Sequence, residues 1–148
     1  MPMSKYFREP GWETRVRSGI ELDVKVRFSE CDPYGHMNNT IPFIYFEDAR
    51  IELLEATGFS LKDGFVVVAD AQCDYVRQVM PRQQLKVYAN VLTVGNTSCD
   101  IHYGAYDGDQ LMFAGRTSLV HLSKTGRPVE WTPEYKNRLQ NFCESAII

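Results

Sequence analysis

The chain has 148 residues, 44% of them hydrophobic and 24% charged, with a formal net charge of −3. That length accommodates one domain over residues 1–148 with a core that needs no staples, and the mixed composition excludes disordered and fibrous classes. The acidic balance argues against a nucleic-acid partner, and no apolar run approaches the roughly 18 residues of a membrane span.

Residues 1–20 are polar and irregular, read as a surface tail, and lack the apolar stretch of a signal peptide. Leu22, Val24, Val26 and Phe28 then alternate with Asp23, Lys25 and Arg27, which predicts a half-buried strand over 22–28. The segment ECDPYGHMNN, residues 30–39, follows. One acid, Asp32, stands among Pro33, Gly35, His36, Asn38 and Asn39, residue types that build tight turns and helix caps. A carboxylate held at a helix N-terminus meets unpaired N–H donors and partial positive charge, so this segment is a candidate active-site loop.

A helix is expected over 41–57, capped by Asn39 or Thr40, with Pro42 in the first turn and Gly58 at the end. At about 25 Å it carries Phe43, Phe46, Ala49, Leu53 and Leu54 as a core stripe, widened by Ile41, Ile44 and Ile51. A helix apolar over so much of its circumference should be wrapped by other structure. Strands are expected over 65–79, 85–94, 98–106 and 111–122, joined by turns at Gly95-Asn96 and Asp107-Gly108 and closed by KTGRP. Thr132-Pro133-Glu134 opens a C-terminal helix to about residue 143. One helix preceded by one strand and followed by four fits an α+β fold, a single antiparallel sheet curled around a central helix.

The four cysteines, Cys31, Cys73, Cys99 and Cys143, have neither paired nor metal-like spacing, so no metal is implied and reduced thiols in a cytoplasmic protein are expected. There is no GxSxG elbow, HExxH, phosphate loop or GxGxxG. Cys31 near His36 offers a Cys–His nucleophile that nothing else in the sequence orients. His102 and His121 fall in strands and read as structural. Glu47 and Arg50, three apart on the helix, read as a salt bridge facing a partner subunit or solvent.

The loop and helix together resemble the hotdog-fold acyl-CoA thioesterases of the 4-hydroxybenzoyl-CoA thioesterase type. The resemblance lies in Glu30-Cys31-Asp32-Pro33-Tyr34-Gly35-His36-Met37-Asn38-Asn39, followed by Phe46-Glu47-Asp48-Ala49-Arg50. It continues through CDYVRQVMP and GRTSLVHLSKTGRPV, and so covers about residues 20–130. Two departures stand out: Pro81-Arg82-Gln83-Gln84 replaces the family's Gly-Asp, and the helix-borne carboxylate of a related branch has only Glu47 and Asp48 as candidates.

The resemblance implies a hotdog fold and hydrolysis of acyl-CoA to a carboxylic acid and free CoA. No cofactor is expected, because CoA is part of the substrate. Asp32 is expected as nucleophile or general base, the Asn39 backbone N–H as oxyanion donor, and His36 as a residue that orients substrate or water or packs the loop. Gly35 and Asn38 shape the substrate end of the loop, Asn38 chiefly as a turn and capping residue. Val68, Ala69 and Asp70 are expected as a pocket wall. Arg77 and Arg82, with Lys86, Lys124 and Arg127, are the cations available to CoA phosphates. The resemblance also implies a homodimer or homotetramer, which a long sheet with exposed edges supports independently. Two alternatives remain at this stage: an enoyl-thioester hydratase or dehydratase using Asp32 and His36, and a non-catalytic acyl-CoA-binding module.

Overall fold

The computed structural model describes residues 3–60, 62 and 64–144. Five strands form one antiparallel sheet: β1 (Ile20–Lys25), β2 (Phe65–Tyr75), β3 (Gln84–Val94), β4 (Ser98–Asp107) and β5 (Gln110–Leu122). Their spatial order is β1-β3-β4-β5-β2. The short turns at Gly95 and Gly108 make β3, β4 and β5 a meander, because adjacent antiparallel strands need only tight connections. β2 returns along β5, with Phe65 opposite Leu122 and Tyr75 opposite Phe113 and a register shift between Val68 and Asp70. The helix α2 (Ile41–Thr57) lies across the concave face, which is the hotdog arrangement that the sequence resemblance implies.

Two strands are shorter than expected. The predicted strand over 65–79 stops at Tyr75, where the N–H groups of Val76 and Arg77 both donate to the Met112 carbonyl, at 3.0 and 2.9 Å. Two donors on one acceptor break the ladder. β1 ends at Lys25, although Val26 is still buried. Phe28 does not extend the apolar face and is 82% exposed in a 3-10 turn over Phe28–Glu30. The Glu30 carboxylate fixes that turn by accepting from the Arg27 N–H and the Tyr45 hydroxyl, both at 2.8 Å.

α2 has the expected bounds, but its cap differs. Asn38, rather than Asn39 or Thr40, supplies the oxygen: its Oδ1 accepts from the Thr40 N–H at 2.9 Å and the Thr40 hydroxyl at 2.8 Å. Tyr45, Phe46, Ala49 and Leu53 are buried, whereas Phe43, expected in the stripe, turns outward. Phe46 stacks on Tyr103 at 4.4 Å between ring centres. It lies so close to Gly115 that a Cβ there would sit 2.2 Å from the ring, so only glycine allows this approach. Ile44 and Ile51 remain 52% and 49% exposed, so one chain does not wrap the helix. The sheet covers only one side of it.

The N-terminal segment is not a loose tail. It forms a 3-10 turn over Lys5–Phe7 and the short helix α1 (Trp12–Arg17), and it covers the convex face of the sheet. Phe7, Trp12 and Val16 pack on Tyr88, Leu92, Tyr106, Leu111 and Ala114. The apolar residues are too sparse in sequence to show a periodicity, yet each is buried. The C-terminal helix α3 (Pro133–Glu144) starts as expected, with the Thr132 hydroxyl accepting from the Tyr135 N–H at 3.2 Å. Tyr135 and Leu139 close one end of the core, and the Tyr135 hydroxyl pairs with that of Thr57 at 2.6 Å.

Candidate active site

The 30–39 segment folds as a closed loop because its backbone satisfies itself. The Asp32 N–H donates to the His36 carbonyl at 2.8 Å, and the Gly35 N–H donates to the Asp32 carbonyl at 3.0 Å. Gly35 has φ of 84°, the left-handed conformation this turn requires. The Met37 N–H donates to the Val79 carbonyl at 2.7 Å, which ties the loop to the segment after β2. A cleft of about 370 Å³ opens between them. Its lining includes Asp32, His36 and Asn39 from the loop, Tyr75, Arg77 and Gln78 after and at the end of β2, and Phe113 from β5.

The loop orients the Asp32 carboxylate. Oδ1 accepts from the Tyr34 N–H at 2.9 Å and, at 3.4 Å, from the His36 N–H. Among the described residues, Oδ2 has no hydrogen-bond partner. The Asn39 N–H likewise has no acceptor among the described residues, although the groups around it are all engaged. One cleft therefore joins a carboxylate oxygen and an amide hydrogen that the fold leaves unpartnered. An acceptor and a donor that the fold orients and leaves open at one cleft are the two groups an acyl-transfer site needs.

Residues 26–139 of the chain match the thioesterase-like superfamily. The chain belongs to that superfamily. It is 40% identical to the Bacillus subtilis (strain 168) protein YsmA over 143 residues, 94% of this chain and 97% of that one. Among solved structures, it is similar to a predicted thioesterase from Bacillus stearothermophilus, with 29% identity, a TM-score of 0.75, and coverage of 82% of this chain and 94% of the other. A thioesterase from Thermus thermophilus, complexed with coenzyme A and Zn, shares 27% identity with a TM-score of 0.76 over 83% of this chain and 92% of the other. The hotdog fold and thioester hydrolysis are thus the fold and reaction class of this thioesterase-like chain.

In this thioesterase the sequence-derived residues divide into three groups. Asp32, His36, Asn39 and Arg77 line the cleft, and the Arg77 guanidinium is steadied by the Leu111 carbonyl at 2.9 Å. Gly35 and Asn38 shape the loop without lining it. Val68, Ala69 and Asp70 stand on the exposed edge of β2, where Asp70 pairs with Arg116 at 2.9 Å, and Arg82 lines a separate groove with Phe28. Within one chain these last four are not brought to Asp32. Tyr75, Gln78, Met37 and Phe113 were missed, although Tyr75 and Gln78 lie in the CDYVRQVMP stretch that carried part of the resemblance.

The remaining candidates have structural roles. Cys31 does not line the cleft, and burial, followed by the charges of Asp32 and Glu30, pushes its thiol up. A nucleophilic thiolate needs the opposite shift. Burial pushes Cys73 and Cys99 up to about 12. Arg50 bridges Glu47 at 3.9 Å as expected, but its side chain is largely covered and reaches the buried Tyr103 hydroxyl at 3.3 Å. His121 stacks on Trp131, and His102 accepts the Trp12 indole N–H. A larger groove, of about 620 Å³, lies beside Arg17 and Lys86, where Lys86 pairs with Asp23 at 3.4 Å and Arg17 lies over the Tyr106 ring. Among the described residues, no group of three or more His, Cys, Asp or Glu is placed to hold a metal, and no helix is long and apolar enough to cross a membrane.

Proposed function

We propose that this thioesterase hydrolyses acyl-CoA, releasing a carboxylic acid and free CoA, with the Asp32 carboxylate as nucleophile or general base. The observation that carries this reading is the shared cleft, with Asp32 Oδ2 and the Asn39 N–H both unpartnered among the described residues. A thioester carbonyl is already activated, and thiols ionise near ~8.5, so the leaving group needs little acid assistance. What the reaction needs is an oxygen nucleophile and a donor for the developing oxyanion. As base, Asp32 takes a proton from water as the water oxygen bonds to the acyl carbon, and the C–S bond then breaks. As nucleophile, its oxygen bonds to that carbon, the thiolate leaves, and water cleaves the resulting anhydride. In both routes the Asn39 N–H holds the carbonyl oxygen, and His36 orients the water or the acyl group.

Coenzyme A as the carrier is supported by the ligand named for the Thermus relative and by the Arg77 cation at the cleft. The reaction needs no further cofactor. A homodimer or homotetramer is supported by the 11-residue edge of β2 and by the apolar surface at Phe65, Val67, Ile44 and Ile51. Unpaired edges of this kind invite pairing with a second copy. Such pairing would cover Val68, Ala69 and Asp70 and make them a wall of the partner's pocket. The four free cysteines support a cytoplasmic setting.

The test is thiol release over a panel of saturated acyl-CoAs with enoyl-CoA alongside, comparing the parent with Asp32→Asn. The expected result is thiol release by the parent and a loss of at least about a hundredfold in the variant, the scale of a lost acid–base group. Near-normal turnover by the variant would remove Asp32 from the mechanism. Hydration of enoyl-CoA without thiol release would replace the hydrolase reading.

A further inference from the structure

The Asn39 N–H shares a peptide group with the Asn38 carbonyl, the Asn39 carbonyl shares the next with the Thr40 N–H, and every other polar atom of these two groups is tied down. The Asn38 carbonyl accepts the Ile41 N–H at 3.0 Å. The Thr40 N–H donates to Asn38 Oδ1 at 2.9 Å. The Asn39 carbonyl accepts the hydroxyl of Tyr75. The first two bonds are local and belong to the loop itself. The third comes from the last residue of β2, 36 positions away, and is the one that locks the loop to the sheet at this point. Holding the second plane restrains the rotation of Asn39 about its Cα, and with it the direction of the N–H in the first.

We propose that Tyr75 is a positioning residue for the oxyanion donor: its hydroxyl grips the Asn39 carbonyl and thereby aims the Asn39 N–H at the substrate oxygen. This rests on the hydrolase reading above. The Tyr75 proton is committed to the Asn39 carbonyl, so the residue acts through Asn39 rather than on the substrate. Burial, followed by Cys73, pushes the Tyr75 phenol up to about 12, so at neutral pH it keeps the proton it donates. The ring is 39% exposed at the cleft, so the hydroxyl can be removed without opening a void in the core. Preorganised donors gain their advantage from needing no rearrangement during reaction, and a loosened Asn39 would lose that advantage.

The experiment compares the parent with Tyr75→Phe, which deletes one oxygen. kcat is expected to fall about ten- to a hundredfold, less than the roughly 10²–10³ lost when an oxyanion donor is removed outright, while KM and the thermal midpoint stay unchanged. A second readout uses the Asp32→Asn variant, which is expected to hold acyl-CoA long enough to be observed before it is turned over. The infrared carbonyl band of the bound thioester should lie at lower frequency than in water, and adding Tyr75→Phe should move it back toward the solution value. A merely structural tyrosine would move the thermal midpoint and leave the carbonyl band alone. An unchanged kcat in Tyr75→Phe with an active parent overturns this inference only. A parent that releases no thiol from any acyl-CoA overturns the hydrolase reading and this inference together.

Discussion

The two faces of the sheet carry similar inventories put to different use. The concave face packs α2 on Tyr103, Phe113 and their neighbours; the convex face packs the N-terminal segment on Tyr88, Tyr106 and Leu111. Both bury aromatic rings beside polar groups. On the convex face His102 accepts from Trp12 at 2.9 Å, Tyr106 donates to Glu13 at 2.9 Å, and Arg116 pairs with Asp100 at 3.0 Å, and the buried Nε of Arg15 is left without a partner among the described residues. At the mouth of the concave face, Asp32 Oδ2 and the Asn39 N–H have none among the described residues. A polar group that the fold satisfies is architecture, and one that it orients but leaves open is available to a ligand.

The largest effect that separates the faces should come from the floor of the concave core. Phe46→Ala removes the ring wedged against Gly115 and Tyr103, and we expect a loss of about 3–5 kcal/mol in denaturant unfolding. A loss under about 1 kcal/mol would mean that α2 is held mainly by something other than this contact.

Next is the acid sensitivity of the convex face. Burial lowers His102 to about 4 from an ordinary 6.5; Arg116 and Arg15 add to the shift and Asp100 opposes it. Trp12 donates to its Nδ1, so the folded protein holds a neutral ring, whereas the unfolded chain binds a proton below about pH 6.5. The stabilisation is therefore complete above pH 6.5 and is lost as the pH falls toward 4, by about 3 kcal/mol in all. Urea unfolding from pH 7 to pH 4 should show this slope in the parent and a shallower one in His102→Gln, with kcat at pH 7 unchanged in that variant. Equal slopes would locate the acid sensitivity elsewhere.

The smallest effect sharpens the contrast. Asn38→Ala removes the oxygen that caps α2 and should cost about 1 kcal/mol of stability. Unlike His102→Gln, it should also lower kcat, because the same oxygen holds the Thr40 N–H that flanks the donor peptide. Stability and turnover measured on one preparation decide the point; a loss of stability with turnover intact would make Asn38 a cap alone.

Much of this was legible before any coordinates. The helix over 41–57 was readable to the residue because Pro42 and Gly58 punctuate it, and the meander was readable because Asn-Gly-like turns and alternation are local signals. Asp32 and His36 were singled out because a turn-rich loop between a strand and a helix is a local pattern too, Asn39 by the family resemblance and Arg77 as a cation available to CoA phosphates; the structure lines one cleft with all four. The docking of Phe7, Trp12 and Val16 was not legible, since three separated apolar residues show no period until a sheet is there to receive them. The outward turn of Phe43 and the inward turn of Tyr45 depended on which side of α2 the sheet covers.

The sequence by itself determined the central helix, the meander and the family, and singled out the carboxylate, because each is written in neighbouring residues. Only the tertiary structure decided which polar atoms would be left without partners and which tyrosine would reach across from β2 to the loop. Satisfaction of a donor or acceptor depends on what lies within about 3 Å in space, and residues 39 and 75 become neighbours only when the sheet has curled around the helix.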